Sequence, residues 1–136
     1  MKYYIIIPAY NEEAFMSLTL QSLVEQTVLP TKIVVVNDNS TDKTPEIVSE
    51  FASKYPFITL VNKQSDAIHL PGSKVIQAFH EGEKNIDDNY DIIVKVDADL
   101  IFIALRVCIV FGNFSKLKIT EFEFNIFCNQ ICLLAF

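Results

Sequence analysis

Four short runs of apolar, largely β-branched residues recur through the first hundred positions: YYIIIP (3–8), KIVVVND (32–38), FITLVN (57–62) and YDIIVKVD (90–97). Each is too short for a helix, and the apolar character is nearly continuous rather than alternating. Such runs predict strands buried on both faces. The stretches between them have a different period. Met16, Leu20, Leu23 and Val24 fall at i, i+4, i+7 and i+8 and give a first helix one apolar stripe. Asn11 is placed to cap it, with Glu12 and Glu13 in the first turn, where the helix dipole favours negative charge. Ile47, Val48, Phe51 and Tyr55 form the stripe of a second helix, with Thr44 at its cap and Pro45 in its first turn. Val75, Phe79, Gly82 and Ile86 line one side of a third, where Gly82 allows close packing or ends the helix.

This alternation predicts an α/β fold, a Rossmann-like parallel sheet with helices on both faces. Ligands of such sheets bind outside the carboxyl ends of the strands. Here those ends read PAYNEE, NDNSTD, NKQSDA and DADL, and acids stand close to the edge at most of them.

Composition narrows the partners. Eleven basic residues face seventeen acidic ones, a net charge of −6 with no basic block. Phosphate-backbone binding needs clustered Lys and Arg, so nucleic acid is not an expected partner. An anionic small molecule would need a metal ion or backbone N–H groups to hold it. The N-terminus lacks the features of a signal peptide, and LIFIALRVCIVFG is short and carries Arg106 at its middle. The expected location is the cytoplasm or the cytoplasmic face of a membrane, with membrane association through missing or neighbouring elements. Cys108, Cys128 and Cys132 fit neither a disulfide framework nor a zinc site and read as buried free thiols. His69 and His80 lack partners at metal spacing and read as surface or structural residues.

Residues 101–136 differ from the rest. They hold seven of the eleven Phe and all three Cys, with neither Pro nor Asp. KLKITEFEFNIF alternates like a strand, but the alternation slips at Glu121-Phe122. The residues therefore divide the chain into an organised unit, 1–100, and an atypical hydrophobic tail, 101–136.

Several side chains at the strand ends invite chemistry, each with a structural alternative. Asp97 and Asp99 at i and i+2 of an extended segment would point to one side and share a hard divalent cation such as Mg²⁺ or Mn²⁺. Asp is equally at home in a solvated turn. Asp38 suits a ribose or a base N–H, or an Asx turn. Tyr10 offers a face to a planar base, or a rim aromatic. Lys74, after Gly72, reaches a phosphate or solvent.

Taken in order, IIIPAYNEE, IVVVNDNSTDKT, GSKVIQAFHEG and YDIIVKVDADL resemble the nucleotide-sugar-binding half of the family 2 glycosyltransferases of the GT-A fold. The resemblance covers residues 3 to about 100 and implies site roles. Pro8, Ala9, Tyr10, Glu12 and Asp38 would hold the nucleoside of a UDP- or GDP-linked sugar. Asp97 and Asp99 would bind the Mg²⁺ or Mn²⁺ that bridges the diphosphate, with Asp97 also touching the donor. Gly72 and Lys74 would lie near the donor pocket. The acceptor would be a saccharide, lipid or protein. Family members continue past Asp-x-Asp with an acceptor-binding half and a catalytic carboxylate, a pattern not visible after Leu100. The expectation is a truncated or frameshifted product, a donor-binding module without turnover, set against an intact minimal transferase. A sugar-phosphate nucleotidyltransferase would want a Gly-rich, Arg-containing loop after the first strand, and a receiver domain would want acids immediately there. PAYN supplies neither.

Overall fold

The computed structural model describes residues 2–63, 73–102, 108–110, 117–119 and 132–134, the last three segments as backbone only. The elements run β1 (Tyr3–Ala9), α1 (Glu13–Val24), β2 (Lys32–Asp38), α2 (Thr44–Lys54), β3 (Ile58–Lys63), α3 (Ser73–Lys84), β4 (Ile92–Lys95), β5 (Cys108–Val110), β6 (Leu117–Ile119) and β7 (Cys132–Leu134). Five strands form one parallel sheet in the order β3-β2-β1-β4-β6, and β5 pairs with β7 separately. The α/β expectation of a Rossmann-like parallel sheet therefore holds.

The strand order dictates the layers. The chain steps from β1 to β2 to β3 in one direction, then returns to add β4 on the other side of β1. With right-handed crossovers, α1 and α2 fall on one face and α3 on the other. The core divides accordingly. Tyr3, Ile5 and Ile7 of β1 pack with Met16, Leu20, Val48 and Phe51 of α1 and α2. Tyr4 and Ile6 pack with Val34, Val36 and Ile93 under Ala78 and Phe79 of α3. Ile6, Ile7, Val34 and Val35 are fully buried, and each such side chain contributes about 1.5–3 kcal/mol relative to exposure.

Gly82 stands inside α3, so of its two expected roles it serves close packing. A Cβ there would lie 2.5 Å from Ile6 Cγ2 and 3.1 Å from Val36 Cγ2. Val75, expected on the inner stripe, is exposed, and Ala78 takes the inward position instead. The amphipathic turn runs one residue further round the helix than the apolar pattern suggests.

Two expected caps serve other purposes. Asn11 does not cap α1, which starts after Glu12 with no side-chain cap. Asn11 adopts a left-handed backbone, φ 54°, and its side-chain carbonyl accepts the Thr41 N–H at 2.8 Å. Lys43, not Thr44, precedes α2, and the buried Thr44 hydroxyl accepts the Glu12 N–H at 2.8 Å. The exchange continues as Glu13 N–H donates to Asp42 and Lys43 N–H donates to Glu13, at 3.0 and 2.9 Å. The loops after β1 and β2 thus satisfy each other's backbone groups.

Beyond Leu100 the sequence suggests no organised continuation, yet β6 extends the sheet beside β4, with Ile92, Ile93 and Val94 opposite Leu117, Lys118 and Ile119. Residues 120–131, where the alternation slips, and Cys128 lie outside the described residues. Among the described residues no helix is long and apolar enough to cross a membrane.

Candidate functional site

The strand order reverses between β1 and β4, and open α/β sheets bind ligands in the crevice at such a switch point. Proline creates the opening here. In the β1–β4 ladder Val96 N–H donates to the Ile6 carbonyl at 3.0 Å. The next rung would need an N–H from Pro8 to the Val96 carbonyl, and proline has none. The register between the two strands stops at Ile6 opposite Lys95, and the strands part.

Past that point β1 leads to Tyr10 and Glu12, and β4 leads to Asp97 and Asp99. Tyr10 is 57% exposed, whereas Ala9 beneath it is buried. Asp97-Ala98-Asp99 is a turn, not the extended strand end expected, closed by Leu100 N–H donating to the Asp97 carbonyl at 3.4 Å. The two carboxylates nevertheless both face solvent while Ala98 points into the core. Turn and strand give the same alternation for different backbone reasons.

The electrostatics join the two strand ends. The Glu12 carboxyl is raised above its ordinary range, first by burial and then by the negative fields of Asp99, Asp42 and Asp97. One cation answers that field directly: Lys95 Nζ donates to Asp97 Oδ1 at 2.6 Å. Among the described residues no three His, Cys, Asp or Glu side chains converge as a metal-ligand group. Two carboxylates are nonetheless a sufficient protein share for Mg²⁺, which completes its shell with water and substrate phosphates. An all-oxygen pair in a negative field that Lys95 offsets only in part fits a hard divalent cation.

Asp38 ends β2, two strands from β4, and is buried. Its Oδ1 lies 3.6 Å from Lys63 Nζ, its register partner on β3. Lys63 also donates to Gln77 Oε1 of α3 at 3.5 Å, and Lys74 stands one turn earlier on the same helix. Gly72 and His69 lie outside the described residues. His80 is exposed and pairs with Glu83 at 2.6 Å, in keeping with a surface role.

Two residues beneath the site carry no motif. Thr19 and Ser22 lie on the buried side of α1. Thr19 Oγ1 donates to the Ala98 carbonyl at 2.7 Å, and Ser22 Oγ accepts the Phe102 N–H at 3.1 Å. The one available signal was two small hydroxyl residues interrupting the apolar face of MSLTLQSLV.

A parallel α/β sheet with carboxylates at its switch point has the architecture of the open α/β proteins that bind ligands at the carboxyl ends of their strands. Within that class, the family model described as Glycosyl transferase family 2 matches residues 4–116, and the chain belongs to that family. It is 39% identical over 98 residues to "Probable glycosyltransferase YdaM" of Bacillus subtilis (strain 168), across 70% of this chain and 22% of that protein. Its fold is similar to that of the mannosyltransferase PcManGT of Pyrobaculum calidifontis in complex with GDP-Man and Mn²⁺, with TM-score 0.60 and 28% identity over 74% of this chain. S. aureus TarS 1-349 in complex with UDP is similar at TM-score 0.59 and 28% identity over 73% of this chain. The chain spans 28% of each of these two structures, and about a fifth of the Bacillus protein.

Proposed function

We propose that residues 1–100 form the donor-binding unit of a glycosyltransferase that takes a sugar from a nucleoside diphosphate. The observation that carries this reading is the placing of Asp97 and Asp99 just past the end of β4, beside β1, where the register between the two strands stops and Pro8 follows. Support also comes from PcManGT, solved with GDP-Man and Mn²⁺, and TarS, solved with UDP.

Each residue then has a task. Asp97 and Asp99 hold Mg²⁺ or Mn²⁺ against the diphosphate. When bound, the cation supplies Lewis acidity for charge developing on the departing nucleoside diphosphate. Pro8 and Ala9 keep the crevice open, and Tyr10 lies against the base. Asp38, held by Lys63, accepts from the base or ribose. Lys74, with Gly72 before it, approaches the phosphates from α3. Transfer further requires a base within reach of an acceptor hydroxyl of a saccharide, lipid or protein. The only acids after Leu100 are Glu121 and Glu123, neither in a family motif. On this reading residues 1–100 act as a donor-binding module, working in the cytoplasm or at the cytoplasmic face of a membrane.

The test is calorimetric titration with UDP-glucose, UDP-GlcNAc and GDP-mannose, with and without Mn²⁺, followed by assay of released nucleoside diphosphate. Binding that requires the metal, without release, is expected. Binding indifferent to Mn²⁺ would remove the metal from the account. Release that disappears in Asp99→Asn would favour an intact enzyme over the module.

A further inference from the structure

Thr19 is fully buried in the middle of α1, where a threonine hydroxyl ordinarily turns back to its own helix, three or four residues earlier. Here it reaches 79 positions along the chain, donating to the carbonyl of Ala98 at 2.7 Å. Ala98 is the residue between Asp97 and Asp99. Its methyl group lies in the core beside Val96, with Leu100 and Phe102 packed against the same cluster. The middle of the Asp-x-Asp turn is therefore held from below by one side chain, while its two carboxylates face outward.

One turn along the helix, Ser22 continues the same arrangement. Its Oγ donates to the Thr19 carbonyl at 2.7 Å and accepts the Phe102 N–H at 3.1 Å. Gln26 Nε2 in turn donates to the Ser22 carbonyl at 2.8 Å. This column of buried polar residues fixes the backbone of residues 98–102 at two points. The strand ladder cannot do so, because β4 has ended at Lys95.

We infer that Thr19 is a positioning residue for the Asp97–Asp99 cation site, with Ser22 supporting it, an inference that rests on the proposed donor-binding reading. Metal ligands held by buried hydrogen bonds to their surroundings lose affinity when those outer partners are removed, commonly about 10- to 100-fold. Thr19 bonds the peptide between the two carboxylates rather than either carboxylate, and a shift of this peptide moves both of them together. Asp38 ends β2 and Tyr10 follows β1, on other segments of the sheet edge.

The experiment titrates wild type, Thr19→Val and Thr19→Ser with UDP and GDP, each with and without Mn²⁺, after circular dichroism has confirmed folding. Valine keeps the shape and loses the donor; serine keeps the donor. The expected result is a loss of about tenfold or more in Mn²⁺-dependent affinity for Thr19→Val, unchanged metal-free affinity, and recovery in Thr19→Ser. Wild-type Mn²⁺-dependent affinity in Thr19→Val overturns the inference and leaves the donor reading standing. An equal loss with and without Mn²⁺ also overturns it, since that marks a general structural role. Absence of Mn²⁺-dependent binding in the wild type overturns the donor reading and this inference with it. If Thr19→Val does not fold, Ser22→Ala carries the same comparison with the same overturning results.

Discussion

Gly82→Ala adds one methyl group between α3 and the centre of the sheet, and its cost follows from the geometry. The new Cβ would sit 2.5 Å from Ile6 Cγ2 and 3.1 Å from Val36 Cγ2. Ordinary carbon contacts lie at about 3.5–4.0 Å, so either the helix lifts or two fully buried β-branched side chains move. Both are stiff at χ1 and have little room to rotate away. Overpacking of this kind costs about 1–3 kcal/mol. The 2.5 Å approach places this site in the upper part of that range, about 2–3 kcal/mol, and alanine recovers about 1 kcal/mol of helix propensity over glycine, which leaves a net destabilisation of about 1–2 kcal/mol. In a domain of this size each kcal/mol moves the thermal midpoint by about 4 °C, so a fall of about 4–8 °C is expected. Urea denaturation followed by circular dichroism should show a lower midpoint with an unchanged m-value. In an Ile6→Leu background, where the Cβ branch is gone, the same methyl should cost less. A Gly82→Ala midpoint equal to or above wild type would refute the close approach of α3 to β1 and β2.

Other perturbations probe the site. Asp38→Asn should weaken nucleoside monophosphate binding equally with and without Mn²⁺, because its proposed partner is the base or ribose; a loss seen only with metal in calorimetry would contradict this. Lys95→Met frees Asp97 from its 2.6 Å ion pair and should raise Mn²⁺ affinity in the absence of nucleotide, measured by electron paramagnetic resonance of free Mn²⁺; unchanged or weaker binding counts against the competition. Glu12 has a folded-state pKa above its unfolded value, so its ionisation costs stability above the folded pKa and nothing below the unfolded one. Glu12→Gln should therefore be more stable than wild type at pH 7 without metal, the difference closing as pH falls through the glutamate range in urea melts. Thr44→Val removes the acceptor of the Glu12 N–H and should cost about 1–3 kcal/mol, read from the same denaturation curves.

The sheet and its helices were legible because burial on both faces leaves little sequence freedom: Ile5, Ile6 and Ile7 or Val34, Val35 and Val36 have to be apolar in succession. The carboxyl edge was legible for a related reason, since the apolar runs stop where Tyr10, Asp38 and Asp97 begin. Hydrogen bonds between distant segments were not. A Thr or Asn before a helix reads as its own cap, and nothing local distinguishes that from Thr44 and Asn11 serving the neighbouring loop. Thr19 and Ser22 were invisible for the opposite reason, because periodicity counts apolar positions and treats a buried hydroxyl as a gap. The ladder stop at Pro8 depends on which side of β1 faces β4, which follows from register and not from composition. Strand β6, Leu117–Ile119, lies in the KLKITEFEFNIF run that alternates like a strand, but alternation does not tell which strand it pairs with.

In the proposed function Asp97 and Asp99 hold a divalent cation against a nucleoside diphosphate. This role is tested most directly by calorimetry of wild type, Asp97→Asn and Asp99→Asn with UDP and with GDP, in Mn²⁺ and in a chelator. Both substitutions keep the side-chain shape and remove one ligand charge from a hard-ion site. Wild type is expected to bind at least one of the two nucleotides in a Mn²⁺-dependent manner, and either variant to lose this component while circular dichroism is unchanged. Mn²⁺-dependent binding that persists at wild-type affinity in both variants would contradict it.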